Sequence, residues 1–244
     1  MKSHINFFEL MSEYESYKNG KDFILPNVAY IAENNTVYYA GEQHFVYIQH
    51  IDGNLYIPSE WVSYGFSNNE ANGVAVVTDA ASFVIAKDEF AKVKWQPSSS
   101  DFINGVSYIN DSVTPGGTDY SSYIPTARTI LNGYNDTNLI IATTNEGAAV
   151  ECYNYVFQNG NRGYLPAIGE LLIVSDYLND INDALSIIGG AAFGNTYYFS
   201  TTQNSYKTNN YYSNAWTCWL KSGAIYPQSK TSVNYINTRP FTTL

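Results

Sequence analysis

The stretch RGYLPAIGELLIVSDYLNDINDALSIIGG, residues 162–190, decides how the chain is read. Leu171, Ile173, Val174, Leu178, Ile181, Leu185 and Ile188 recur at roughly helical spacing, which predicts one amphipathic helix. Gly189-Gly190 is its expected stop, because glycine tolerates the left-handed conformation that ends a helix. GYLP reads as a strand entering that helix. Downstream come NTYYFSTTQ (195–203), a Tyr/Asn-rich loop, NAWTCWLKSGAIYPQSK (214–230) and NTRPF (237–241). These read as short strands joined by long polar loops.

Upstream, residues 121–156 read as helix. Thr126 to Leu131 make one short segment ended at Asn132-Gly133. A second is capped by Thr143 or Thr144, with Glu146 in its first turn. Its buried stripe is Ala148, Ala149, Cys152 and Tyr155 or Val156. Asn159-Gly160 turns the chain into GYLP. Earlier, ANGVAVV (71–77) and SFVIA (82–86) read as two strands joined by a short turn. Trp95-Gln96-Pro97 then opens a long Ser/Gly/Asn/Thr/Pro-rich loop that runs through Thr118.

Two hairpins precede these strands. Val28 and Tyr30 alternate toward Val37 and Tyr39 around Glu33-Asn34-Asn35-Thr36. Phe45, Tyr47 and Gln49 alternate, Asp52-Gly53 turns, and Leu55-Tyr56-Ile57 returns. In residues 1–22, Phe7, Phe8, Leu10, Met11, Tyr14 and Tyr17 form one helix face with Asn19-Gly20 as the stop. That face packs on the domain or docks to a neighbouring subunit.

The C-terminal motifs stand in one order: Gly163-Tyr164-Leu165-Pro166, Gly169-Glu170-Leu171, Ile188-Gly189-Gly190, Tyr197-Tyr198-Phe199-Ser200-Thr201-Thr202, Ala215-Trp216 and Arg239-Pro240-Phe241. The series resembles a large family of C-type-lectin-fold domains from gut bacteria and their phages. Phe199 stands where that family usually has Trp, and the loop after Gln203 is longer than usual. Many members are phage receptor-binding proteins or targets of diversity-generating retroelements, which rewrite a C-terminal ligand-binding surface. The resemblance implies an α+β fold, with two helices flanking a twisted, mostly antiparallel sheet. It places the lectin-like ligand-binding domain at 71–244 and leaves 1–70 as an accessory β region.

Composition narrows the function. The chain has 244 residues, enough for one large or two small domains. Only 14% of residues are charged, 16% are aromatic, and 23 are Tyr, a balance found in recognition proteins. A formal net charge of -10 argues against a nucleic-acid partner, which needs a basic surface. No acidic residue follows Asp183; the later charges are Lys207, Lys221, Lys230 and Arg239. No apolar run approaches transmembrane length, so membrane insertion is not expected. No secretory signal is visible after Lys2. A virion protein released by lysis needs none, and a trimmed chain would also lack one. The expected location is a phage tail or a cell surface.

Catalysis, metal and cofactor are not expected. His4, His44 and His50 have no Cys or His neighbour at metal-ligand spacing. There is no G-x-S-x-G elbow, P-loop or dinucleotide fingerprint. Pro115-Gly116-Gly117-Thr118 is a turn. Cys152 and Cys218 are expected as two buried free thiols, on a helix and a strand. Formylglycine-generating oxidases share the broad fold, but need two close reactive cysteines near the C-terminus, where only Cys218 stands. Calcium-dependent sugar binding in this fold needs Glu-Pro-Asn or Gln-Pro-Asp and Trp-Asn-Asp motifs, which are absent. A hard cation also wants carboxylates, and this end has none.

Alternation along 216–220 sets the binding face. The resemblance places Trp216, Cys218 and Leu220 inward, so Thr217 and Trp219 face out. Ile225 points inward, leaving Tyr226 and Gln228 exposed; Tyr197, Phe199, Ile236, Thr238 and Phe241 join the core. The loop contributes Gln203, Asn204, Ser205, Tyr206, Asn209, Asn210, Tyr211, Tyr212 and Asn214, and the last loop Asn234 and Tyr235. Rigid Tyr among adaptable Asn and Ser is the composition of antibody binding loops. The expected partner is a protein or glycan receptor on a bacterial surface, with self-association left open. The plainer alternatives are that Trp219 packs under the 203–214 loop, and that the loop has no partner. A third reading makes the Tyr-rich face a subunit interface in a virion or surface assembly.

Overall fold

The computed structural model describes residues 28–31, 37–40, 44–96, 102–110, 119–205, 213–232 and 236–244. The predicted helix at 1–22 lies outside them. Residues 1–44 and 45–244 form two compact units. In the first, β1 (Val28–Ile31) and β2 (Val37–Ala40) pair antiparallel, with Val28 opposite Ala40 and Ile31 opposite Val37, as the alternation predicts.

The second unit is α+β. One sheet orders its strands β13-β6-β5-β3-β4, using β3 (Val46–His50), β4 (Leu55–Tyr56), β5 (Ala71–Val77), β6 (Ser82–Ile85) and β13 (Phe241–Thr243). The predicted hairpins 45–57 and 71–86 are both in it, joined because β3 also pairs β5. β3 therefore belongs to the same sheet as the strands beyond residue 70. Gly53 has φ 92, the left-handed turn that Asp52-Gly53 foretells.

The other sheet is ordered β11-β10-β9-β12-β7, with β8 also on β9. Its strands are β7 (Phe90–Ala91), β8 (Tyr108–Ile109), β9 (Tyr197–Asn204), β10 (Asn214–Trp219), β11 (Ala224–Ser229) and β12 (Ile236–Thr238). Six α-helices stand among the described residues: α1 (Pro58–Tyr64), α2 (Ile124–Arg128), α3 (Gly133–Ile141), α4 (Ala148–Asn154), α5 (Ile168–Asp176) and α6 (Leu178–Ile187). The expectation of one sheet flanked by two helices was thus too small.

Residues 168–188 form two helices rather than one. Tyr177 breaks the run at φ -115, ψ 23, so α5 packs on β9 and β10 while α6 packs on β3 and β5. One core joins Val74 and Phe83 of the first sheet, Leu172 and Leu185 of the helices, and Trp216 and Cys218 of β10. Gly189, at φ 70, ends α6 as expected.

A second core covers the opposite face of the six-stranded sheet. It holds Trp95, Ile140, Cys152, Leu165, Phe199 and Ala215. Phe199 and Trp216, assigned to one core by sequence, therefore lie on opposite faces. Burial on both faces explains why β9 is almost wholly inside despite its polar residues. Each is paired: Ser200 Oγ donates to Trp216 O at 2.7 Å, Thr201 Oγ1 to Asp136 Oδ2 at 3.1 Å, and Ile168 N–H donates to Thr202 Oγ1 at 3.1 Å.

The GYLP and GEL residues prove to be structural clamps. GYLP is not a strand; Tyr164 makes an isolated bridge to Phe241. Glu170 caps α5, accepting Ala167 N–H at 2.6 Å and Tyr164 O–H at 3.0 Å. A side chain on Gly133 would begin 2.3 Å from Glu170 Oε2. Gly133 therefore starts α3 beneath the carboxyl rather than stopping a helix. Gly147, at φ 109, precedes α4, so neither Thr143 nor Thr144 is its cap and Glu146 lies outside its first turn. Ala148, Ala149 and Cys152 are buried as predicted, but Val156 is exposed.

Candidate functional site

The candidate face lies on β9, β10 and β11. Trp216, Cys218, Leu220 and Ile225 point into the first core, in the predicted register. Trp219 takes the other face and is half-buried rather than fully outward. Its ring meets Tyr197, its cross-strand partner, edge-on at 4.7 Å. Tyr197 in turn meets Tyr226 at 5.5 Å. Tyr197, expected in the core, is half-buried and belongs to this aromatic row. Period two carries the signal: adjacent Tyr197 and Tyr198 must take opposite faces, and only Tyr198 is fully inside. Burial and then the nearby Tyr226 raise the Tyr197 phenol, so it stays a neutral hydrogen-bonding group.

Three predicted site residues are buried instead. Gln203, Asn204 and Thr217 have no exposed surface. β9 runs on through Asn204, where the sequence suggested loop. The Gln203 amide is satisfied by one backbone unit: Ile103 N–H donates to Oε1 at 3.0 Å and Nε2 donates to Ile103 O at 2.9 Å. Thr217 Oγ1 donates to Tyr226 O at 2.9 Å. Paired polar groups can be buried at little cost, which sequence alone does not reveal. Ser205, Asn214 and Gln228 remain half-buried and reachable. Tyr206, Asn209, Asn210, Tyr211, Tyr212, Asn234 and Tyr235 lie outside the described residues.

The charges of this end are largely internal. Lys230 is buried, its Nζ 2.8 Å from Gln203 Oε1 and 4.4 Å from the Trp95 ring centre. Arg239 is buried against Glu89 at 3.1 Å and Ala191 O at 2.8 Å, 4.0 Å above the Phe193 ring. Among the described residues after Asp183, Lys221 is then the one exposed charge. The described part of the face is aromatic and amide-bearing, with Lys221 at the β10–β11 turn as its one exposed charge.

Among the described residues, no group of three or more His, Cys, Asp or Glu is placed to hold a metal. None of the described helices is long and apolar enough to cross a membrane. Cys152 and Cys218 are free and buried, as expected, and burial pushes each thiol up to about 12. Thiols held protonated are poor nucleophiles.

No family model matches the chain, and no curated protein matches it. Its structure is similar to that of a fimbrial protein from Bacteroides ovatus, with TM-score 0.52 and 13% identity. The match covers 83% of this chain and 49% of that one, so the chain spans about half the length of that protein. At this identity the likeness is one of fold, and fold does not carry function.

Proposed function

We propose that the chain is a non-catalytic receptor-binding protein of a phage tail or bacterial cell surface, built on a C-type-lectin-like domain. Its binding face is the aromatic row with Ser205, Asn214 and Gln228, and the Tyr/Asn-rich loop beyond Ser205. The observation that supports this most is the separation of roles on β10. Trp216 and Cys218 are wholly buried, while Trp219 is half open beside Tyr197 and Tyr226. Such a scaffold tolerates change at these half-open positions while the cores on both faces of the sheet hold the fold, as a diversified binding surface requires. Tyr and Trp supply contact area at low entropic cost.

A bacterial-cell and glycan-array binding screen with the whole chain tests the reading. Binding that weakens with Trp219→Ala and Tyr226→Ala supports it; binding indifferent to both counts against it. Gene context is a separate check: a neighbouring reverse transcriptase and a near-repeat of the 3′ end would support diversification.

The fold likeness to a fimbrial protein supports a second reading, a structural subunit whose Tyr-rich face meets its neighbours. Solution mass separates the two. A self-assembled species broken by Trp219→Ala favours the subunit.

A further inference from the structure

Lys230 stands directly after β11 and has no exposed surface, a rare place for a lysine. Its Nζ lies 2.8 Å from the amide oxygen of Gln203, which is equally buried. A C=O bond is about 1.2 Å long, so Nζ stands within about 4 Å of the Gln203 amide carbon.

Backbone hydrogen bonds fix both residues. Gln203 is set in β9 opposite Ala215 of β10, and its N–H donates to Ser107 O at 2.9 Å. Lys230 N–H donates to Ser213 O at 2.7 Å, and Lys230 O accepts Gln96 N–H at 3.1 Å. The Trp95 ring, 4.4 Å from Nζ, covers the amine. Trp95 is itself held, its Nε1–H donating to Ser200 O at 2.7 Å. The Gln203 amide is also polarised. Ile103 N–H donates to Oε1 at 3.0 Å, the atom where negative charge gathers when a nucleophile adds to the carbonyl. Nε2 donates to Ile103 O at 2.9 Å, which locks the amide plane.

We propose that Lys230 and Gln203 join in an isopeptide bond, a self-modification that staples β9 to the end of β11. Neutral Nζ adds to Cδ. The Nζ–Cδ bond forms as the Cδ–Nε2 bond breaks, one amine proton passes to Nε2, and ammonia leaves. Starting from the charged lysine, the departing nitrogen takes the extra proton with it as ammonium ion. Atoms and charge then balance, and no oxidant or cofactor enters. Burial favours this direction twice. It disfavours a lysine's charged form and so supplies the neutral amine. It also favours the product, because a neutral, paired amide is easier to keep out of water than a cation, whose cost the Trp95 ring offsets only in part. Fixed neighbours react as if at concentrations of about 10⁵–10⁸ M, which offsets the low reactivity of an amide. The closed ring spans residues 203–230 and contains β10 and β11, two strands of the candidate face.

The test is the intact mass of the whole chain, freshly purified and after overnight incubation, against the mass its sequence gives, with removal of Met1 allowed for. The expected chain is lighter by one ammonia. Tryptic mapping of the denatured protein should find residues 163–207 joined to 222–244, with Lys230 uncut. Lys230→Arg keeps the charge but has no such amine, and Gln203→Glu keeps the shape but has no amide nitrogen to release; neither should lose ammonia. Wild-type protein of full mass, with 222–230 released as a free peptide, overturns the proposal whether or not either variant folds. Loss of ammonia that maps elsewhere, such as to a succinimide at Asn104-Gly105, overturns it too. The binding reading is independent of this bond and survives either outcome.

Discussion

Tyr164 and Phe241 exchange both of their backbone hydrogen bonds: Tyr164 N–H to Phe241 O at 2.7 Å, and Phe241 N–H to Tyr164 O at 2.9 Å. Their rings also meet edge-on at 6.2 Å. The GYLP and RPF segments, far apart in the chain, are thus one contact. Phe241 continues from it into β13 beside β6, stacked 4.8 Å from Phe83.

This contact is expected to be a weak point for the whole second unit. Phe241 has no exposed surface, so Phe241→Ala should cost about 3–5 kcal/mol. Gly163→Ala should also destabilise, because its new Cβ would begin 2.4 Å from Cys152 O and 2.9 Å from Pro240 Cβ. Overpacking of this kind costs about 1–3 kcal/mol. Urea unfolding measures both, and a Gly163→Ala midpoint equal to wild type would contradict the packing.

Two neighbouring tryptophans should behave differently. Trp216 is fully buried between Tyr120, at 5.6 Å, and Tyr123, at 5.6 Å. Trp216→Ala should cost about 3–5 kcal/mol. Trp219 is half open, and its loss should cost about 0.5–1.5 kcal/mol for the Tyr197 ring contact, plus modest lost burial. Equal melting temperatures for the two variants would place Trp219 in the core and remove it from the candidate face.

Acidity should act through Glu170. Burial raises its carboxyl from an ordinary 4.5 to about 8, against the opposing pull of the Ala167 N–H and Tyr164 O–H hydrogen bonds, and the nearby Asp136 adds to the rise. The folded state therefore binds this proton more tightly than the unfolded chain does. Its stabilising contribution is complete below about 4.5 and is lost as pH rises through about 8. Asp52 acts in the opposite sense and in a lower window. The Asn54 backbone hydrogen bond lowers it, so its contribution is lost as pH falls. Melting curves from pH 5 to pH 9, wild type against Glu170→Gln, isolate the effect of Glu170. The decline should flatten in the variant; parallel curves would mean that Glu170 is already ionised when folded.

Both thiols should be silent in the native protein. Each is buried and held up to about 12, and Cys152 Sγ lies 3.3 Å from Thr238 Oγ1. Maleimide labelling followed by intact mass should find no adduct in buffer and two in denaturant. Rapid labelling of Cys218 under native conditions would show that β10 opens locally.

The local grammar of the chain was legible in the sequence. Both hairpins, the pair β5–β6, the glycine that ends α6 and the alternation Trp216, Cys218, Leu220 depend on neighbouring residues and on strand or helix period. Nothing distant alters them. That the C-terminal face lacks acidic side chains was legible too, since none follows Asp183.

Tertiary structure decided which polar residues are inside. Gln203 and Asn204 look like loop, and Thr217 looks like a surface position. Gln203 is buried because Ile103 satisfies its amide, Thr217 because Tyr226 accepts its hydroxyl. Gly133 looked like a helix stop and begins a helix because Glu170 leaves no room for a side chain there. Phe199 and Trp216 looked like one core and serve two, since helices and loops cover both sides of their sheet. The reason is common to all of these. Turn type and side-chain alternation follow from local backbone sterics, whereas burial of a polar group depends on a partner that only the folded chain brings within hydrogen-bonding distance.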